Sequence, residues 1–266
     1  MVAFASNSLL CRAALKHTSI DPATFTSVRI LSGALILWLV VKIRGAVWNT
    51  AGTWLSALAL LFYAAAFSFA YNTLPAGTGA LLLFAAVQAT MILRGLSQGE
   101  RLGIFQIIGV IVALIGLIVL VFPGLSAPPI IGATLMLGAG ISWGVYSLRG
   151  KSETKPVLAT AGNFIRAVPL AGLVSLVFLP SFRVDLAGFC YAIVSGAVTS
   201  GLGYVLWYNV LPNLKAASAA TVQLSVPVIA ATGGILCLGE PITIRYLFAS
   251  VAVLGGITLV VIEKRS

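Results

Sequence analysis

The sequence has 266 residues, of which 60% are hydrophobic and 8% are charged, and its mean hydropathy is +1.09. Soluble domains carry about 25% charged residues, so this composition excludes a water-soluble globular protein and indicates an integral membrane protein. The formal net charge of +10 does not indicate nucleic-acid binding, because the basic residues lie in short connections between apolar segments.

Windows of about 20 apolar residues predict ten membrane-spanning helices. In chain order they cover residues 2–16, 23–43, 51–71, 77–96, 104–122, 129–149, 157–180, 186–208, 215–238 and 243–262. Pro22, Pro156 and Pro241 are expected at helix starts, because a proline in the first turn costs no hydrogen bond. The first segment gives about 21 Å of helix against a hydrocarbon core near 30 Å, so we expect either a natural start upstream, which we favour, or a helix that begins below the interface.

Several landmarks of the sequence recur at a separation of 137 residues. They are Arg12 and Arg149, Arg29 and Arg166, and the runs Tyr71–Pro75 and Tyr208–Pro212. Each half holds five predicted spans, an odd number, so the second half must enter the bilayer in the opposite sense. Inverted repeats of this kind build secondary transporters, with the substrate site near the bilayer midplane. The predicted organisation is a first five-helix repeat (1–122), a linker (123–128) and a second, inverted five-helix repeat (129–266).

The orientation follows from the distribution of lysine and arginine. If the N-terminus is cytoplasmic, ten of the 16 basic residues fall in inner segments and four in outer ones, while Arg29 and Arg166 lie inside predicted spans. Because basic residues are enriched in cytoplasmic loops, we expect both termini in the cytoplasm.

The residues that could carry out chemistry are few. The six carboxylates lie at span ends or in loops: Asp21, Glu100, Glu153, Asp185, Glu240 and Glu263. A carboxylate at mid-span is the usual device for binding a proton or a cation in the membrane, and its absence argues against a proton-exchanging cation pump. Glu100 and Glu240 are expected to cap or orient the helix that follows each. The sequence predicts no catalytic residue, no metal site and no cofactor, which argues against a membrane enzyme.

Arg29 and Arg166 are each placed about two turns inside a predicted span, where a charge is costly unless it finds an acceptor. Two interpretations remain open. Each arginine could bind a substrate carboxylate, or each could bind helix-end carbonyls or reach interfacial water.

Aromatic residues form the most suggestive pattern. Tyr63, Phe67 and Tyr71 share one face of the third helix, and Ser200, Tyr204 and Tyr208 lie 137 positions later on the eighth. Trp143 and Tyr146 lie on the sixth helix, and Trp207 lies on the eighth. For Tyr71, Tyr208 and Trp207 the alternative is the belt of aromatic residues found at membrane interfaces.

Uncharged polar residues inside spans need a partner, either another helix or a ligand. The candidate substrate-binding residues combine such amides with the aromatic residues: Asn7, Tyr63, Phe67, Tyr71, Gln88, Trp143, Tyr146, Tyr204, Trp207, Tyr208 and Gln223. Together they predict a mainly apolar cavity that holds a neutral or zwitterionic molecule with a hydrophobic side chain.

Short motifs carry a family resemblance. They are Leu96-Ser97-Gln98-Gly99-Glu100 with its looser counterpart Cys237–Pro241, Pro227 in the ninth helix, and Ser6-Asn7 followed by Arg12 in the first. With ten spans in two halves, the chain resembles the drug/metabolite transporter superfamily in its EamA-type, ten-span branch. It is most similar there to bacterial exporters of amino acids and metabolites, including the aromatic amino acid exporters. The resemblance implies a central cavity lined by helices 1, 3, 4, 6, 8 and 9, with helices 5 and 10 peripheral.

We therefore expect an all-α inner-membrane carrier, a monomer or weak homodimer, that exports amino acids or similar metabolites by alternating access. Tyr71 and Tyr208 would close opposite faces. A nucleotide-sugar or lipophilic drug transporter of the same fold remains an alternative, as does a membrane channel. The first span lacks the glutamate of the small multidrug members, which argues against antiport of cationic drugs and protons.

Overall fold

The computed structural model describes residues 1–45, 51–99, 101–124, 127–151, 153–210 and 222–263, and the regular secondary structure in these residues is helical. Within them ten helices follow one another: α1 (Val2–His17), α2 (Pro22–Ile43), α3 (Trp54–Tyr71), α4 (Ala76–Ser97), α5 (Ile104–Val121), α6 (Ile130–Lys151), α7 (Pro156–Val177), α8 (Leu186–Val210), α9 (Ser225–Leu238) and α10 (Ile244–Glu263).

Eight of these helices, α2 to α8 and α10, are long and apolar enough to cross a membrane. The chain is therefore an all-α integral membrane protein. The helix α1 has 16 residues and α9 has 14, so both are shorter than a full span. Part of the predicted ninth span (215–238) lies outside the described residues.

Side-chain caps explain where some helices begin. The Asp21 carboxylate accepts hydrogen bonds from the backbone nitrogens of Ala23 and Thr24, both at 2.9 Å, at the start of α2. The Thr53 hydroxyl accepts one from the backbone nitrogen of Ser56 at 3.2 Å, at the start of α3. These bonds satisfy backbone donors that have no partner within the first turn.

The proline predictions are confirmed at two of three positions. Pro22 and Pro156 are the first residues of α2 and α7. The prediction for Pro241 is wrong, because α10 begins only at Ile244. The reason lies just before it: Gly239 ends α9 with a left-handed φ of 62°, and the residues that follow remain outside a helix.

The pair α5 and α10 packs together at the edge of the bundle. Their backbones approach closely where Gly109 faces Gly256. Gln106, near the start of α5, donates to the Val260 carbonyl near the end of α10 at 3.0 Å, so the two helices are antiparallel. Half of the side chains of α5 are exposed and only four of its residues are buried, in agreement with the peripheral position expected for the fifth helix.

The directions of the other helices can be read from contacts between their ends. Ser27, near the start of α2, donates to the Ala171 carbonyl near the end of α7 at 2.9 Å, so these two helices are antiparallel. Arg12 of α1 reaches the last residue of α3, whereas Arg149 of α6 reaches Ser56 in the first turn of α3. Consequently α1 and α6 run in opposite directions. We call the two ends of the bundle the Arg12 end and the Arg149 end.

The middle of α8 departs from regular α-helix. Residues Ser195–Leu202 form a π-helical segment, a local widening that often occurs at functional sites. A Cβ atom at Gly196 would overlap the Arg29 carbonyl and the Ser32 hydroxyl of α2. A glycine is therefore required for α8 to approach α2 at the level of Arg29.

Candidate functional site

Trp143 of α6 lies at the centre of a buried group of aromatic rings. Its ring centroid is 4.9 Å from that of Tyr63, 4.9 Å from Tyr204, 5.6 Å from Tyr146 and 6.0 Å from Phe4. We call the whole group the aromatic cluster; it comprises Phe4, Tyr63, Phe67, Tyr71, Trp143, Tyr146, Phe164, Tyr204 and Trp207. Its residues come from α1, α3, α6, α7 and α8, so both halves of the chain contribute.

The helical period explains this convergence. Tyr63, Phe67 and Tyr71 are four residues apart on α3, and successive ring centroids are separated by 5.5 and 4.7 Å. Trp143 and Tyr146 are three residues apart on α6 and stack with an interplanar angle of 29°. Each pair therefore lies on one face of its own helix.

The structure brings together seven of the eight predicted aromatic residues. Tyr208 is buried but has no ring contact with the cluster; its ring packs against Gly150 at the Arg149 end. The interfacial-belt interpretation is wrong for Tyr71, Tyr208 and Trp207, which are 0%, 4% and 9% exposed. The rings contact one another directly, so aromatic side chains fill the place where a cavity was expected.

Arg29 of α2 borders the aromatic cluster and is 1% exposed. Its Nε donates to the Ser200 hydroxyl at 3.1 Å, and its Nη2 donates to the Tyr63 hydroxyl at 3.0 Å. The guanidinium carbon lies 5.2 Å from the Tyr63 ring centroid and 5.0 Å from that of Phe67, within cation–π distance. The third nitrogen, Nη1, has no hydrogen-bond partner.

A polar network connects α1 to this arginine. The Asn7 amide nitrogen donates to the Tyr63 hydroxyl at 3.3 Å, and that hydroxyl also accepts from Arg29. The Asn7 amide oxygen accepts hydrogen bonds from Ser195 at 2.6 Å and from Thr199 at 3.2 Å, both in the π-helical segment. The network thus joins helices of the two halves.

Further polar atoms of the candidate residues are buried without a hydrogen-bond partner. They are the hydroxyls of Tyr146 and Tyr204, the amide nitrogen of Gln88 and the amide oxygen of Gln223. Gln88 lies in α4, and Gln223 lies just before α9. Buried polar atoms are nearly always paired in folded proteins, so these atoms are candidates for contact with a ligand.

Arg166 of α7 has a different environment. Its Nη1 donates to the carbonyls of Ala51 and Gly162, at 2.8 and 3.0 Å. The carbonyl-binding interpretation is therefore confirmed for Arg166. It is wrong for Arg29, whose hydrogen-bond partners are the hydroxyls of Ser200 and Tyr63.

An ion pair ties four helices together at the Arg12 end. Arg12 Nε lies 3.0 Å from Glu240 Oε1, and Arg12 Nη1 donates to the carbonyls of Tyr71 and Asn72. Glu240 Oε2 accepts from the backbone nitrogen of Ala76, the first residue of α4, at 2.8 Å. The expectation that Glu240 caps the helix following it is therefore wrong: it caps α4, far away in the sequence. Glu100 lies outside the described residues.

A cavity of about 260 Å³ adjoins this ion pair. It lies between the start of α4, the end of α9 and the start of α10, and its lining includes Thr78, Glu240 and Tyr246. It is separate from the aromatic cluster, since no ring of the cluster lines it.

The sequence analysis left the role of Arg29 open and did not include it, Phe4 or Phe164 among the candidate substrate-binding residues. A signal for Arg29 was available, namely a charged residue well inside a predicted span. The two phenylalanines had no distinguishing signal in a chain with 13 phenylalanines.

The fold and the buried site define a multi-pass membrane transporter. Residues 1–122 and 130–262 match the EamA-like transporter family, and the chain belongs to that family. The family is one of transporters rather than enzymes, as the sequence predicted.

Two relatives that are named as an exporter and as a probable efflux pump support the resemblance to amino acid exporters. The chain is 30% identical to the threonine/homoserine exporter RhtA of Escherichia coli over 89% of this chain and 81% of the relative. It is 25% identical to a probable amino-acid metabolite efflux pump of the same organism, over 72% and 69% of the two chains.

Two further similarities concern the whole chain. It is 54% identical to an uncharacterized protein of Pseudomonas aeruginosa, over 99% of this chain and 92% of the relative. A solved crystal structure superposes on it with a TM-score of 0.69 and 16% identity, covering 100% of this chain and 98% of the other. That similarity shows a shared fold.

Proposed function

We propose that this protein is a secondary transporter of the bacterial inner membrane that exports amino acids, aromatic ones among them, or similar small zwitterionic or hydrophobic metabolites. The observation that carries the proposal is the aromatic cluster with Arg29 and unpaired polar atoms beside it. Apolar rings with a few polar groups are the usual composition of a small-molecule site. The relatives named as exporters of amino acids or their metabolites agree with this substrate class.

Transport proceeds by alternating access between two inverted five-helix repeats, 1–122 and 129–266. The opposite directions of α1 and α6, and of α2 and α7, support this arrangement. The ion pair between Arg12 and Glu240 holds the Arg12 end together, and its separation opens that end.

Tyr71 and Tyr208 close opposite ends of the path. The Tyr71 hydroxyl donates to the Ala76 carbonyl at 3.2 Å, near the ion pair at the Arg12 end. Tyr208 packs against Gly150 at the Arg149 end. The π-helical segment of α8 lies between them and is the place where that helix bends most readily. With cytoplasmic termini, the Arg149 end faces the cytoplasm.

Uptake of labelled amino acids into proteoliposomes tests this proposal. We expect saturable uptake by the wild-type protein and a loss of about tenfold or more in Trp143→Ala and Tyr204→Ala, because each substitution removes a ring that contacts several others. Trp38→Ala is the matched control, since Trp38 of α2 is 46% exposed. Unchanged uptake in both cluster variants would exclude the aromatic cluster as the site.

A further inference from the structure

We propose that Arg29 binds the carboxylate of the transported molecule through Nη1, so that this carrier requires an anionic group in its substrate. This inference rests on the proposed function and adds a substrate class to it. It requires an acid, whereas the proposed function alone admits any small polar or hydrophobic metabolite.

The charge of Arg29 is buried without a counter-charge among the described residues. In the part of the chain that the structure describes, no carboxylate lies within ion-pair distance of Arg29, and the ion pair there joins Arg12 and Glu240. Both partners of Arg29, Tyr63 and Ser200, are neutral hydroxyls. A cation inside a membrane protein normally has a counter-charge or a set of carbonyls, and a bound carboxylate supplies it here.

The hydrogen bonds of Arg29 fix the direction of its free edge. Nε is held by Ser200 and Nη2 by Tyr63, so the planar guanidinium cannot rotate without losing a bond. Nη1 is the remaining nitrogen and has no hydrogen-bond partner. A charge-assisted bond from a guanidinium to a carboxylate is about twice as strong as a neutral hydrogen bond, which suits this position.

The apolar part of the substrate would lie beside the aromatic cluster. The guanidinium lies over the rings of Tyr63 and Phe67, and the Tyr63 ring is 4.9 Å from Trp143. A molecule held by its carboxylate at Arg29 therefore places its apolar part against the aromatic cluster, which opens to admit it. Arg29 thus requires a negatively charged group in the substrate, and the aromatic cluster favours a substrate with an apolar side chain.

Two other arginines, Arg166 and Arg12, have kinds of acceptor that Arg29 lacks. Arg166 donates to two carbonyls, and Arg12 combines a carboxylate with two carbonyls. Arg29 has neither kind of acceptor, and the π-helical segment of α8 with Gly196 brings Ser200 up to it. The local distortion of α8 is explained by the need to orient this guanidinium for a ligand.

Binding of matched acids and amides to the purified protein tests the inference. The probes are L-threonine, L-leucine and L-phenylalanine, each compared with its carboxamide, and the readout is the thermal midpoint together with tryptophan fluorescence. We expect at least one acid to raise the midpoint and its amide to bind about ten- to a hundredfold more weakly, because the amide removes a charged hydrogen bond. If no acid stabilises the protein more than its amide does, the inference is overturned.

Variants of Arg29 test whether this residue causes the difference in binding between acid and amide. Arg29→Gln should abolish the difference between acid and amide, and Arg29→Lys should keep part of it, because lysine retains the charge but not the planar fork. Arg166→Gln is the matched control and should preserve the full difference. An Arg29→Gln protein that still prefers the acid by the wild-type factor would contradict the inference. The comparison of acid and amide on the wild-type protein stands even if a variant folds poorly.

The outcome is separable from that of the proposed function. If an acid binds through Arg29 but proteoliposomes show no flux of it, the assignment of transport fails and the carboxylate site stands. If amino acids are transported and their amides compete equally, transport stands and the carboxylate site fails.

Discussion

Arg29 of α2 and Arg166 of α7 lie 137 residues apart in the sequence, but their environments differ. Arg166 is half-buried and donates to the carbonyls of Ala51 and Gly162. Arg29 is fully buried, has only hydroxyl partners and leaves Nη1 unpaired. The two predicted halves therefore give these arginines different partners: Arg166 is paired with carbonyls, whereas Arg29 is the residue that we propose to bind a ligand.

The arginines of α1 and α6 show a similar divergence. Arg12 forms an ion pair with Glu240 and binds two carbonyls at its end of the bundle. Arg149 donates to the hydroxyls of Ser56 and Thr53, at 2.9 and 3.2 Å. The two predicted halves therefore supply the same residue type to both ends of the bundle, but its hydrogen-bond partners differ.

The largest effect is expected from breaking the ion pair at the Arg12 end. Glu240→Ala should lower the free energy of unfolding by about 3–5 kcal/mol, because it leaves the mostly buried charge of Arg12 without its partner and uncaps α4. The measurement is the thermal midpoint in detergent. Glu153→Ala is the control, since Glu153 is exposed and its loss should change little.

A double variant of Arg12 and Glu240 measures how strongly the two side chains depend on each other for stability. The double variant Arg12→Leu/Glu240→Leu should lose less stability than the sum of the two single variants. Additive losses would mean that the two side chains act independently.

A smaller effect is expected where α8 meets α2. Gly196→Ala should cost about 1–3 kcal/mol, because the new methyl group overlaps the Arg29 carbonyl. Gly172→Ala, on the exposed side of α7 with no atom within 4 Å, should instead stabilise the protein by about 0.5–1 kcal/mol. Thermal midpoints of the two variants measure the difference, and equal shifts would contradict the close approach of α8 to α2.

The smallest expected effect is a change in the free energy of unfolding that has opposite signs for substitutions of Arg29 and of Arg166. Arg29→Met should raise the free energy of unfolding by about 1 kcal/mol, because it removes a buried charge that has no counter-charge among the described residues. Arg166→Met should lower it by about 1 kcal/mol, because it removes satisfied hydrogen bonds. If the midpoint falls equally in both variants, Arg29 is a structural residue like Arg166.

Much of the fold could be predicted from the sequence, because a membrane helix requires a long apolar segment that composition reveals directly. The predicted spans agree with most helices to within a few residues. The last span was predicted to begin at residue 243 and α10 begins at Ile244, but the contact of Glu240 with the start of α4 could not be predicted, because the two segments are far apart in the sequence. The π-helical segment was also missed, since it depends on the contact of Gly196 with α2, which is not encoded in local sequence.

The candidate site could be predicted only in part. Helical spacing brought Tyr63, Phe67 and Tyr71 onto one face, and the same logic selected Trp143 and Tyr146. The different environments of Arg29 and Arg166 could not be predicted, because hydrogen-bond partners are set by packing between distant helices. Corresponding residues of the two predicted halves therefore have different hydrogen-bond partners.

The most direct test of the account is an experimental map of the protein with a transported amino acid bound. The account predicts that the ligand's carboxylate lies about 3 Å from Nη1 of Arg29, and that its side chain contacts Trp143. A ligand bound in the cavity beside Glu240 and Tyr246, without contact to Arg29, would contradict it.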